Sequence, residues 1–261
     1  MDSRPDSTAS PTEEDAHTND DVRVRWLPLA LHLVAVAAVT GLAVSVAGTA
    51  ARLAAVVAAA GVGAFVTASL VVVAAERARA VGADVDVTRH RVVTLCAAAL
   101  WWGCAAWAAD GVAVASWLGV GTWAILAAAV DAQTGRIPIA LTRSATISGC
   151  ATVAVSAAVF RGFSDAIAAL AAAALIYLVF VLLVIVSRGA VGMGDVRLIA
   201  ALTIPLVMQS VSTWTAGLIL GQLLVVVCWT GLRLLRGKTD RNIIAGPAIV
   251  AGSLIALLAV Q

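Results

Sequence analysis

Residues 166–195 read AIAALAAAALIYLVFVLLVIVSRGAVGMGD. The stretch 166–186 carries no charge. It is long enough to cross a bilayer as a helix, which takes about 20 apolar residues. The last four residues, Gly192, Met193, Gly194 and Asp195, set a carboxylate behind two glycines at the mouth of the next apolar run. Charge at membrane depth costs roughly 2.5–3.5 kcal/mol on insertion scales, so a carboxylate placed there faces a cavity and has a function. A second one, Asp131, closes the apolar run 112–130. Two aspartates at one face of a membrane point to a pair acting together.

The rest of the chain has the same texture. Of its 261 residues 62% are hydrophobic, against about 45–50% in a soluble domain. Apolar runs cover 26–47, 53–75, 92–109, 112–130, 145–160, 166–186, 196–208, 211–232 and 246–260. These predict an all-α polytopic membrane protein of about nine transmembrane helices. The seventh and ninth runs are short, and the seventh contains Pro205. Short or broken helices are tolerated at membrane depth where they line a protein cavity, so a site is expected near these two. Residues 1–21 are polar and acidic and read as a disordered tail. The expected organisation is that tail, three N-terminal helices over 22–110, and a six-helix domain over 111–261.

Charge fixes the expected orientation. With the N-terminus inside and nine alternating helices, fifteen basic residues fall inside and two, Arg52 and Arg161, outside. That asymmetry follows the positive-inside rule. It places Asp131 and Asp195 at the cytosolic face of a plasma membrane, and Asp110 and Asp165 at outer turns. The net charge of +2 gives no argument for nucleic acid. The four cysteines, Cys96, Cys104, Cys150 and Cys228, form no CxxC pair and read as small buried hydrophobes. No metal site or cofactor follows from them. His32, within the first run, reads as a satisfied or interfacial residue. Gly217 and Gly221 form a GxxxG spacing whose ordinary use is close helix packing.

Three stretches stand out together: Asp131 through Thr142 with Arg136, Ile137 and Pro138; Gly192 through Leu198 with Arg197; and Ile244, Ala245, Gly246 and Pro247. They resemble the type IV prepilin peptidases, the GxGD class of intramembrane aspartic proteases. In that family an Asp precedes the Pro of an Ile-Pro pair by seven positions, GxGDxKL follows, and PFGP comes last. All three occur here in that order. Arg197 stands for the usual Lys, keeping the charge but changing its shape. Ala245 stands for the Phe of PFGP, and Ile139 for the Asn or Asp that often follows the Pro. Larger family members also carry a cytosolic insertion with paired CxxC motifs, linked to N-methylation. The segment 76–91 has no cysteine.

The resemblance implies an aspartic endopeptidase that removes the basic leader from pilin-like precursors, within pilus assembly or protein secretion. It implies catalytic roles for Asp131 and Asp195. It also implies substrate-side roles for Gly192, Gly194, Arg136, Pro138, Arg197, Gly246 and Pro247, with no metal. The chemistry stands on its own terms. One carboxylate takes a proton from water while the other, protonated, polarises the scissile carbonyl. Gly192 and Gly194 are expected to adopt φ > 0 and to let a peptide lie beside Asp195. Taken alone, the GxGD stretch also fits a plain loop with Asp195 capping the seventh helix. Two other functions share parts of the pattern. One is a presenilin-like protease, which sets its first Asp in a Tyr-Asp pair. The other is a proton-coupled transporter, for which inverted repeats would be the sign; no internal repeat is visible. Lipid and a pilin-like precursor are the expected partners.

Overall fold

In a bilayer the backbone has no water to bond to, so each apolar run must satisfy its own N–H and C=O groups as a helix. The computed structural model describes residues 32–40, 45, 48–79, 91–108, 111–158, 163–186, 192–236 and 245–259. Among them there is no strand. The helices are α1 (32–40), α2 (Thr49–Arg79), α3 (Arg91–Ala108), α4 (Gly111–Thr134), α5 (Ile139–Ser156), α6 (Phe163–Val186), α7 (Met193–Gln209), α8 (Val211–Arg236) and α9 (Gly246–Ala259). Five of them, α2, α3, α4, α6 and α8, contain stretches long and apolar enough to cross a membrane. The expected acidic tail and the turn at Asp110 lie outside the described residues.

The bundle is built around α4, which packs against α2, α3, α5, α7 and α9. Of its span-forming stretch 89% is buried, against 6% for α6, which leans chiefly on α7. Yet α6 is the more apolar of the two. That order is what lipid demands. Tails are as apolar as Leu, so helices gain nothing by hiding Leu and Val from them, and interiors take small and weakly polar residues instead. α4 brings Ser116, Gly119, Gly121 and Thr122 to its neighbours. The Trp101 indole occupies the space over Gly121, and Trp102 that over Gly63. Their N–H groups donate to Trp117 O at 2.9 Å and Thr122 Oγ1 at 2.9 Å.

His32 is enclosed in the same region, edge-on to Trp102 and Trp123, with Nε2 3.2 Å from Gly119 O. The expectation of a satisfied histidine holds at that nitrogen. The GxxxG glycines serve close packing, as expected. A Cβ on Gly252 of α9 would stand 2.4 Å from Gly221 Cα of α8.

Two expectations need correction. α5 starts at Ile139, well before the apolar run at 145. Its hydroxyls bond back into their own helix, Thr142 Oγ1 to Ile139 O, Ser144 Oγ to Ala140 O and Thr146 Oγ1 to Thr142 O. A polar stretch can therefore stay helical. The cysteines are not core residues either: Cys96, Cys150 and Cys228 are exposed and Cys104 half-buried. An apolar run in a membrane protein has an outer face as apolar as its inner one, so apolar sequence does not mean protein burial.

Candidate active site

Three helix ends meet at one end of the bundle. α4 packs on both α7 and α9, and α7 on α9. The last turn of α4 carries Asp131, only 2% exposed. The first turn of α7 carries the half-buried Asp195. α9 opens at the buried Gly246, whose backbone N–H donates to Asp131 Oδ2 at 2.8 Å. The first N–H groups of a helix have no partner within it, and the dipole there favours an anion. The start of α9 is thus a seat for the Asp131 carboxylate. Ile137, just beyond the Asp131 turn, packs on Gly194, the neighbour of Asp195, so the two carboxylates lie at the same end of the bundle.

The turn after α4 gives the site its wall. Gly135 has φ +61, a left-handed conformation that glycine adopts at no steric cost and that ends helices. Its N–H closes the last turn on Asp131 O at 2.7 Å. Thr134 Oγ1 donates to Arg136 O and accepts from Arg136 N–H, which tightens the bend. The chain then runs through Ile137 to Pro138, the extended residue that opens α5. Ile137 lies on Gly194: a Cβ there would stand 2.8 Å from Ile137 Cβ and 3.1 Å from its carbonyl oxygen. The loop from the Asp131 helix is thereby pressed against the helix of Asp195.

The two glycines of the GxGD stretch act by size and not by conformation. Gly192 is extended, φ −71° and ψ 132°, and Gly194 is inside the first turn of α7. Neither has positive φ, contrary to the sequence expectation. At Gly192 a Cβ would fall 2.7 Å from Asp195 Oδ2, so its absence leaves room beside that carboxylate.

The other expected residues divide. Pro138 is buried between the helices, and Gly246 holds Asp131 directly. Pro247 is half-buried in the first turn of α9, where a missing N–H leaves no intrahelical bond unmade. Arg136 is exposed at the loop tip. Arg197 is half-buried two positions after Asp195, and residues so spaced on a helix do not face each other. α7 therefore does not itself direct Arg197 to the pair. The sequence placed Ile137 in the loop after Asp131 but not its seat on Gly194, and it did not reveal Gly135 or the N–H role of Gly246. The Thr-Gly pair after an apolar run was the one local signal available for Gly135.

Such an arrangement suits acid–base work at a carbonyl. Two carboxylates in mutual range can share one proton, so that one accepts from water while the other donates to an oxygen. The profile of the type IV leader peptidase family matches residues 118–258. No curated protein and no solved structure matches the chain significantly. The matched segment starts in α4 and ends in α9, takes in Asp131, Asp195 and Gly246, and covers more than half of the chain. The chain is a membrane peptidase that belongs to the type IV leader peptidase family.

Proposed function

We propose that this peptidase is an intramembrane aspartic endopeptidase in which Asp131 and Asp195 are the catalytic pair. Its substrates are type IV pilin-like precursors, cut between a basic leader and an apolar helix at the cytosolic face of the plasma membrane. The observation that carries the reading is the convergence of Asp131, Asp195 and the Gly246 N–H at one end of the bundle. In the proposed cycle a water between the carboxylates attacks the scissile carbonyl. The ionised partner takes the water proton and the protonated partner gives its own to the carbonyl oxygen. Collapse of the tetrahedral intermediate returns a proton to the leaving amine and restores the pair.

The remaining roles follow from size and position. Gly192 leaves space for an extended peptide beside Asp195, Gly194 admits the 135–138 loop that walls the substrate path, and Gly246 fixes Asp131 from behind. Pro138 and Pro247 set the directions of α5 and α9, and Arg136 and Arg197 border the entry. No cofactor is needed in this cycle. Family membership favours a protease over a transporter with relay carboxylates. The Asp131-to-Ile137-Pro138 stretch favours a leader peptidase over a presenilin-like enzyme.

The test is cleavage of a synthetic pilin-like precursor by the purified protein in nanodiscs, followed by mass spectrometry of both products. A cut at the junction of leader and apolar helix, lost in Asp131→Asn and in Asp195→Asn, is the expected result. Full turnover by either variant would refute the paired-aspartate mechanism.

A further inference from the structure

Arg77 lies outside the family-matched segment, in the last turn of α2, and its side chain reaches into that segment. Its guanidinium donates through Nη1 to Ser144 Oγ and to Ala140 O, at 3.4 Å for the latter, both on the first turns of α5. Its Cζ sits 5.5 Å from the centroid of the buried Trp123 ring on α4. One half-buried cation thus joins α2, α4 and α5. Ser144 Oγ donates in turn to Ala140 O, so both groups converge on the same carbonyl.

A simpler reading would make Arg77 an interfacial charge that complements the C-terminal dipole of α2. The neighbouring Arg79, exposed in the same turn, already fits that description. Arg77 points inward instead, beside the first turn of α5, where the dipole disfavours positive charge. α5 gains no dipole stabilisation from it. α5 does lack a capping side chain: its N-cap is Pro138, with no side-chain hydrogen bond. The Arg77 bridge is therefore a fastening for that helix start. The residues just before the fastening are Ile137 and Pro138, and Ile137 is the residue seated on Gly194 beside Asp195.

We propose that Arg77 is a positioning residue for the active site, holding the start of α5 so that the 135–138 loop stays seated on Gly194. α2 would then serve the reaction from outside the family segment. The inference rests on the proposed function for its kinetic consequence, though not for its structural one.

The experiment pairs Arg77→Met, which keeps the stem and removes the charge, with Ser144→Ala, the double variant and the rescue Arg77→Lys. Cleavage kinetics and hydrogen exchange are both read in nanodiscs. A hydrogen bond from a charged donor, if lost wholly in the transition state, corresponds to about a 10- to 150-fold effect. The expected fall in kcat is at the low end, about tenfold for Arg77→Met, with KM within about twofold of wild type. The double variant should fall no further than the worse single, because both remove one bridge. Arg77→Lys should recover most of the rate. Amide exchange should rise over 135–145 and stay at wild-type values in α8 and α9. Additive losses, or exchange raised evenly across the bundle, would overturn the proposal, as would unchanged exchange over 135–145. A wild-type protein that cuts no precursor would sink the proposed function, and the exchange pattern would still decide the role of Arg77.

Discussion

Gly246→Ala is the sharpest probe of the site, because the clash it creates can be measured in advance. A Cβ at 246 would stand 2.9 Å from Asp131 Oδ2, 3.2 Å from Asp131 Cβ and 3.3 Å from Ala128 Cα. An ordinary carbon contact begins at about 3.5 Å, so roughly 0.6 Å must open at the carboxylate. Two of the three obstacles are the Asp131 Cβ and the α4 backbone, which cannot swing aside as a flexible side-chain end could. Either α9 retreats from α4 or the carboxylate rotates, and both stretch the 2.8 Å hydrogen bond from Gly246 N–H. Losing a hydrogen bond to a charged group costs about 1.5–3 kcal/mol. Expressed fully in the transition state that is about 10- to 150-fold, in line with the roughly hundredfold cost of a 1 Å misplacement.

Because Gly246 touches Asp131, the loss should fall on kcat with KM near wild type. The assay is precursor cleavage by purified protein in nanodiscs, with a thermal melt confirming the fold. Gly61→Ala is the control: nothing lies within 4 Å of its Cβ position in α2. Alanine is about 1 kcal/mol better than glycine inside a helix, so this variant should melt no lower and cut normally. A folded Gly246→Ala enzyme cutting within twofold of wild type would refute the idea that the start of α9 holds Asp131.

Three further outcomes follow from the same geometry. Asp131→Asn and Asp195→Asn should each abolish cleavage while the protein still folds in the membrane, whereas Asp165→Asn, exposed in the first turn of α6, should cut within twofold of wild type in the same assay. Gly252→Ala should lower the melting temperature in detergent, since its Cβ would meet Gly221 Cα at 2.4 Å and overpacking costs about 1–3 kcal/mol; an unchanged melt would show that α8 and α9 can part at no cost. The mature product should carry a free, unmethylated N-terminus, given the absence of CxxC pairs, and mass spectrometry after incubation with a methyl donor reads this directly.

How much of this was legible in the sequence depended on range. The helices were, because each apolar run must satisfy its own backbone. The start of α5 was not, because Thr142, Ser144 and Thr146 look like loop residues until their hydroxyls are seen bonded to their own helix. Asp131 and Asp195 could be picked out as charges at membrane depth. The conformation of Gly192 and Gly194 was misread, since steric room and positive φ leave the same letter in a sequence. The Arg77 bridge was out of reach altogether. Its partners lie 63 and 67 residues away, and no periodicity marks such a pair.

Helix polarity explains why three stretches so far apart form one site. Asp131 rides on the C-terminal turn of α4, where the helix dipole opposes a negative charge, typically by about 0.3–1 kcal/mol. α4 has no basic residue in its last turn to offset that. An N-terminal helix end can, because it presents free N–H groups. α9 brings such an end against Asp131, with the Gly246 N–H as the bond. The approach must be close, and the 2.9 Å from a Gly246 Cβ position to Oδ2 shows that only glycine permits it. Asp195 needs no such help, since it starts its own helix, α7. The Gly-Pro stretch near the end of the chain is thus the electrostatic complement of the first aspartate. Exchanging the Gly246 N–H for a group without a donor, as a backbone ester would, should cost about 1.5–3 kcal/mol, the worth of a hydrogen bond to a charged group.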